Sequence, residues 1–137
     1  QLIKKSGIDK LILCSGRIYY DLYEERKKYK DSNTYILRVE QLYPFPENGL
    51  LKELNRHKNI KEIIWCQEEP KNMGGWAYMK ENIDDLFSKR DVKPETIKYV
   101  GRAASASTAT GLMANHKAQL ENIFKRVFTP NIKKEIK

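Results

Sequence analysis

Residues 11–30 read LILCSGRIYYDLYEERKKYK. The first four form a continuous apolar run that stops at Ser15-Gly16. A run this short, closed by a turn pair, predicts a strand covered on both faces. From Ile18 the period changes. Ile18, Tyr19, Leu22, Tyr23, Arg26 and Tyr29 recur at helical spacing, and Glu24, Glu25, Lys27 and Lys28 between them suit a wet face. This strand-turn-helix unit decides the fold because it recurs. Tyr35–Val39 is a second strand, ended by the loop QLYPFPENG, whose Pro44 and Pro46 cannot continue a ladder. Leu50, Leu51, Leu54 and His57 or Lys58 then mark a short helix. Ile63–Cys66 is a third strand, running into QEEPKNMGG and a helix on Trp76, Met79, Ile83 and Leu86. A charged connector around Asp91 and Pro94 leads to a fourth strand, Ile97–Val100, and then to the small-residue loop GRAASASTATG. Met113, His116, Leu120, Ile123 or Phe124, and Val127 stripe the last helix, which Thr129-Pro130 ends.

Four such units in succession predict an α/β fold: a mainly parallel sheet with helices on both faces. Ligands of these folds bind at the carboxyl ends of the strands, where strand order reverses. The loops at that edge are Ser15–Arg17, Tyr43–Asn48, Glu68–Gly75 and Gly101–Gly111. The 137 residues amount to one domain. Residues 1–9 read as a lead-in, 10–128 as the domain and 129–137 as a tail that frays. The opening Gln1-Leu2-Ile3-Lys4-Lys5 has no Met and no leader pattern, and reads as a cut from a longer chain.

Composition narrows the function classes. Forty per cent apolar and 32% charged residues describe an ordinary globular protein. No apolar run approaches the length of a membrane span. The formal charge of +8 rests on 26 basic residues, of which 19 are Lys. They are scattered from Lys4 to Lys137, whereas nucleic-acid sites concentrate Arg with stacking aromatics. The charge reads as solvated surface facing acidic partner domains, with no nucleic-acid partner. Cys14 and Cys66 lie inside apolar strands, as small buried hydrophobes of a reducing compartment. No CxxC or HExxH occurs, so no metal site is expected.

The candidate site residues all fall in the four loops or just beyond them. Arg17, after CSG, stands at the start of a helix, where an anion could be met by unpaired N–H groups; the plain reading is a tight turn. Glu68 and Glu69 follow a strand directly, but neighbours at a strand end point in different directions and rarely share a proton. Lys71, Asn72 and Gly74-Gly75 complete a loop able to turn sharply. Arg102, Ser105, Ser107 and Thr108 can present an Arg and hydroxyls to a phosphate, or simply let the loop pack closely. His116, on the apolar stripe of the last helix, reads as a core or interface histidine before a general base. No complete catalytic constellation is present: GxGxxG, GxxxxGK[ST] and GxSxG are all missing.

Four segments then converge. LCSGRIYYDLYEER, RVEQLYPFPENGLLKEL, WCQEEPKNMGGWAYM and YVGRAASASTATGLMANHKAQ together resemble the end of the 2-oxoglutarate dehydrogenase E1 family. They stand in the family's order and cover roughly residues 10–124. QEEPKNMG with GRxxSAS is far more specific than either alone; Gly75, Ala104 and Thr108 are small departures. The resemblance implies a transketolase-C-terminal-like domain with four to five strands, Gln1–Lys5 being a remnant of an edge strand. It implies a parent enzyme that uses thiamine diphosphate and Mg²⁺ to decarboxylate 2-oxoglutarate in the tricarboxylic acid cycle. That enzyme passes succinyl to the lipoyl arm of an E2 succinyltransferase. The cofactor would be held by the N-terminal and middle domains, and none by this piece, which would carry no catalytic residue. Its implied partners are those domains, a second E1 subunit and E2; its compartment is the bacterial cytoplasm or the mitochondrial matrix. An alternative implied role is a regulatory module for acyl-CoA or nucleotide effectors, with Arg17, Glu68, Lys71, Asn72, Arg102, Ser105, Ser107 and His116 as effector or interface residues. Relatives that act on 2-oxoadipate, or that decarboxylate 2-oxoglutarate without a dehydrogenase complex, share the domain. A domain built to sit against others should keep large side chains at its loop edge, and Tyr43, Phe45, Met73, Trp76 and Met113 are the candidates.

Overall fold

The computed structural model describes residues 7–90, 96–107 and 111–129. The expected edge-strand remnant at Gln1–Lys5, Thr108 and the tail from 130 onward lie outside the described residues. Elements alternate as β1 (Lys10–Cys14), α1 (Ile18–Lys28), β2 (Thr34–Arg38), α2 (Glu47–Arg56), β3 (Glu62–Pro70), α3 (Trp76–Arg90), β4 (Lys98–Arg102) and α4 (Met113–Phe128). Among the described residues the sheet has four strands in the order β2-β1-β3-β4, every pair parallel.

Side-chain alternation explains the continuous apolar runs. Leu11, Leu13, Ile63 and Trp65 enter one core with Leu50 and Leu54 of α2 and Met79, Ile83, Leu86 and Phe87 of α3. Their neighbours Ile12, Cys14, Ile36, Ile64, Cys66 and Val100 enter a second core, with Ile18 and Leu22 of α1 and Ile123, Phe124, Val127 and Phe128 of α4. Each such side chain, taken fully out of water, contributes about 1.5–3 kcal/mol, so neither face of the sheet is dispensable. The helices divide between the faces because the chain steps from β1 to β2 on one side, then returns over β1 to β3. Right-handed crossovers in opposite directions put their helices on opposite faces.

Polar contacts close the amino edge. Lys10 Nζ donates to the Val127 carbonyl at 2.7 Å and lies 3.7 Å from Glu62. Asp31 turns the chain into β2, accepting from the Asn33 and Thr34 amides at 2.9 Å and from the Thr34 hydroxyl at 2.7 Å.

The structure departs from the sequence reading in two places. β3 does not end at Cys66. Its register shifts between Cys66 and Pro70, and pairing resumes at Pro70 opposite Arg102. A bulge of this kind lets a strand continue past residues that no longer alternate. The apolar stripe of α4 also does not pack throughout: Ile123 to Phe128 supply the core, while residues 113–118 stand exposed. His116 is therefore exposed, which removes the core half of its reading and leaves the interface half.

Candidate functional site at the carboxyl edge

The reversal of strand order falls between β1 and β3, so the crevice that α/β folds use for ligands opens between the ends of those strands. Its floor is set by Gln67, a residue the sequence reading passed over. Gln67 is 3% exposed. Its Oε1 accepts from the Trp65 indole N–H at 2.8 Å and from the Trp76 amide at 3.1 Å. Its Nε2 donates to the carbonyls of Glu69 (3.2 Å), Pro70 (3.0 Å) and Met73 (2.7 Å). One side chain thus ties the end of β3, the whole 68–75 loop and the first residue of α3 together. Gly74 has φ +66°, and a Cβ there would come within 2.9 Å of Gln67 Oε1, so the loop needs glycine at that point.

The second loop is held to the first. Asn72 Nδ2 donates to the Ser105 carbonyl at 3.0 Å, and the Ser105 amide donates back to Asn72 Oδ1 at 3.0 Å. The Ser107 amide donates to the Ser105 hydroxyl at 3.1 Å. Lys71 lies over the Tyr99 ring, 5.6 Å from its centre, and Tyr99 in turn packs on Trp76. Gly101, beneath this loop, is pinned between the Tyr99 hydroxyl and the Gln67 carbonyl. An added Cβ would sit 2.8 Å from that oxygen. Arg126 Nη1 donates to the Gly101 carbonyl at 2.9 Å, tying α4 to the same point.

A charged cluster gathers about Glu68. Arg17 stands at the start of α1 with no side-chain cap, and Asp21 lies in the first turn. Glu68, half-buried, faces both. Burial pushes its carboxyl above the usual range, Asp21 pushes it further, and His116 and Arg17 pull it back. The structure therefore brings Arg17, His116 and Asp21, the last one helical turn beyond Arg17, within electrostatic reach of Glu68. Ser105 is bonded through its backbone to Asn72. Arg102, at the end of β4, is half-buried.

The cysteines take no part. Cys14 and Cys66 face each other across β1 and β3. Both are fully buried; burial raises the Cys14 thiol to about 12 and the Cys66 thiol higher still, so neither is a thiolate near neutral pH. Among the described residues no three His, Cys, Asp or Glu side chains gather as metal ligands. Among them, also, no helix is long and apolar enough to cross a membrane.

Of the five large side chains expected at the loop edge, Tyr43 is 81% and Met113 84% exposed, with Leu112 beside it at 65%. Phe45 and Met73 are half-buried, and Trp76 belongs to the core. Tyr20 is exposed at the same edge, where its hydroxyl accepts from Arg38 Nη1 at 2.8 Å. Arg38 also pairs with Glu40 at 2.8 Å and covers the Tyr19 ring.

Comparison with known proteins gives this edge a context. The chain is 50% identical over 120 residues to proteins named 2-oxoglutarate dehydrogenase E1 component from Brucella anthropi, Brucella ovis and Brucella abortus. The match takes in 88% of this chain but only 12% of each relative, so the chain spans about an eighth of the length of the curated relatives it matches. Residues 1–128 match the family described as 2-oxoglutarate dehydrogenase C-terminal. With that match running through all eight elements and the four loops of the carboxyl edge, the chain belongs to the 2-oxoglutarate dehydrogenase C-terminal family.

Proposed function

We propose that this chain serves as the C-terminal domain of a 2-oxoglutarate dehydrogenase E1 subunit. In that role it supplies interface and active-site wall to an enzyme whose chemistry is carried by the rest of the polypeptide. The observation that carries the reading is the 50% identity to E1 components over 120 residues, which include the 68–75 and 101–107 loops. The wet Tyr43, Leu112 and Met113 at the carboxyl edge support it, since a face of that kind is what a domain presents to neighbours. The parent enzyme would decarboxylate 2-oxoglutarate with thiamine diphosphate and Mg²⁺ held by its preceding domains. It would act as a homodimer and hand succinyl to an E2 succinyltransferase in the tricarboxylic acid cycle, in the bacterial cytoplasm or the mitochondrial matrix. Here Gln67 and the Asn72–Ser105 pair fix the shape of the loop wall, and Glu68, Arg17 and His116 give it charge.

A chimera tests this. Residues 1–128 replace the matching segment of the Brucella anthropi relative, and CO₂ release from 2-oxoglutarate is measured with ferricyanide as electron acceptor. The chimera is expected to turn over, and the isolated chain to give no more than the blank. A folded, soluble chimera without activity would count against the assignment, as would turnover by the chain alone.

A further inference from the structure

Of the asparagines in the chain, Asn48 alone is followed by glycine. The pair stands in the first turn of α2, which follows Pro46 without any side-chain cap hydrogen bond. The ladder of that helix opens with the Leu50 amide donating to the Pro46 carbonyl at 3.0 Å. Asn48 and Gly49 come before that bond, where a helix offers its own N–H groups no acceptor. Both residues are exposed, and a Cβ built on Gly49 would meet nothing within 4 Å. Having no side chain, Gly49 also lets the backbone swing out of helical geometry at little steric cost. The Gly49 nitrogen and the Asn48 side-chain carbonyl carbon are therefore unshielded, and a bond between them closes a five-membered ring. Asn72 is the contrast. Both of its side-chain polar atoms are committed to Ser105, each at 3.0 Å, and the bulky Met73 follows it. The remaining asparagines precede Thr, Arg, Ile or His, whose side chains crowd the same nitrogen.

We propose that Asn48-Gly49 is a site of spontaneous covalent modification, gated by the opening of the uncapped first turn of α2. The Gly49 amide nitrogen gives up its proton and attacks the Asn48 side-chain carbonyl carbon. A cyclic imide closes, the bond from that carbon to Nδ2 breaks, and the nitrogen leaves as ammonia. Solvent water then cleaves the ring at one carbonyl or the other, leaving aspartate or isoaspartate at position 48. The two products act in opposite directions. An aspartate lies at the positive end of the helix dipole and one turn before Lys52, and both favour it. An isoaspartate inserts a methylene into the main chain, so the bond from Leu50 to Pro46 no longer closes and the buried Leu50 loses its register. Either product lowers the net charge of +8 by one.

Peptide mapping by mass spectrometry, after incubation of the chain in mildly alkaline buffer, reads the exchange of NH₂ for OH and separates the two isomers. Position 48 should convert roughly tenfold or more faster than any other asparagine, a gap of about 1.4 kcal/mol in barrier. It should also convert within roughly tenfold of a free peptide of residues 43–53, because a turn that opens readily protects little. Gly49→Ala should slow the reaction roughly tenfold. Pro46→Ser leaves the reacting pair intact and gives the Gly49 N–H a capping acceptor, so it too should slow conversion. Asn48→Gln, at an exposed position and needing a six-membered ring, should abolish the signal in a chain that still folds. A folded chain that reacts far more slowly than the peptide overturns the proposal. So does another asparagine that reacts as fast, or a rate indifferent to Pro46→Ser in a folded variant. If Pro46→Ser does not fold, the comparison with the peptide and with the other asparagines decides.

Discussion

Replacing Gln67 by Leu keeps the volume of the side chain and removes all of its hydrogen bonding. The Trp65 indole N–H, the Trp76 amide and the Pro70 carbonyl then lose their partner inside the protein, and all three of those bonds are buried. A buried polar group left unsatisfied costs about 1–3 kcal/mol, so three of them cost roughly 3–9 kcal/mol before relaxation. The apolar Leu returns about 2 kcal/mol through its own burial. The loop, lying at the surface, can admit water to the Pro70 and Met73 carbonyls. A net loss of roughly 3–5 kcal/mol follows, a large part of the 5–15 kcal/mol that typically separates folded from unfolded domains. Urea unfolding followed by tryptophan fluorescence measures it directly, since both indoles, Trp65 and Trp76, report from the affected region. Gln67→Glu sharpens the test. A carboxyl there is buried and faces the carbonyls of Glu69, Pro70 and Met73, so its pKa in the folded state lies above its unfolded value. The stability of that variant is greatest below the unfolded carboxyl pKa and is lost as pH rises through the folded one. If Gln67→Leu unfolds within about 1 kcal/mol of the wild type, the argument that this side chain organises the loop is wrong.

Other substitutions probe separate contacts. Gly101→Ala forces a Cβ against the Tyr99 hydroxyl and within 2.8 Å of the Gln67 carbonyl oxygen, and should cost about 1–3 kcal/mol, seen as a thermal midpoint lower by several degrees. Glu68→Gln removes a carboxylate that burial and Asp21 disfavour. It should match the wild type in acid and become the more stable of the two as pH rises to 7; equal or lower stability at pH 7 would contradict the assigned environment. Asn72→Asp sets an acceptor against the Ser105 carbonyl. Its expected signature is faster amide hydrogen exchange at Ser105 and Ser107 with little change in global stability. Cys14 and Cys66 should both resist a thiol reagent until the protein is unfolded, and labelling of either in the native state would refute their burial.

The alternation of strand and helix was legible from Leu11 to Val127 because a change of hydrophobic period needs no tertiary information. The continuous runs at Leu11–Cys14 and Ile63–Cys66 announced a sheet covered twice, and both cores bear that out. Gln67 was not legible as an organising residue. A glutamine after a strand has the composition of a loop, and only the continuation of β3 to Pro70 puts it, by ordinary alternation, on the inner face that Ile63 and Trp65 share. Of the two readings of His116, core or interface, exposure removes the core one, because the helical period of α4 continues through residues that do not pack. The grouping of Arg17 with Glu68 depends on strand order, which no local pattern encodes. Asp21 had a visible signal, being a carboxylate one turn after Arg17 in the same helix.

The doubly apolar sheet has a consequence for how the chain finds its alignment. In a sheet with one wet face, sliding a strand by one residue exposes its whole hydrophobic set, and that penalty polices the pairing. Here a slip of β1 would merely exchange Leu11 and Leu13 with Ile12 and Cys14, aliphatic groups traded for near equivalents between two oily interiors. Hydrophobicity alone can hardly tell the two alignments apart. Discrimination falls to the ends, where Lys10 must meet both the Val127 carbonyl and Glu62. One step away, those partners would face Asp9, which repels Glu62, or Leu11, which bonds to neither. The few polar residues at the strand termini therefore act as the index marks of the sheet, and weakening Lys10 should broaden the set of alignments sampled during folding more than it lowers the stability of the correct one.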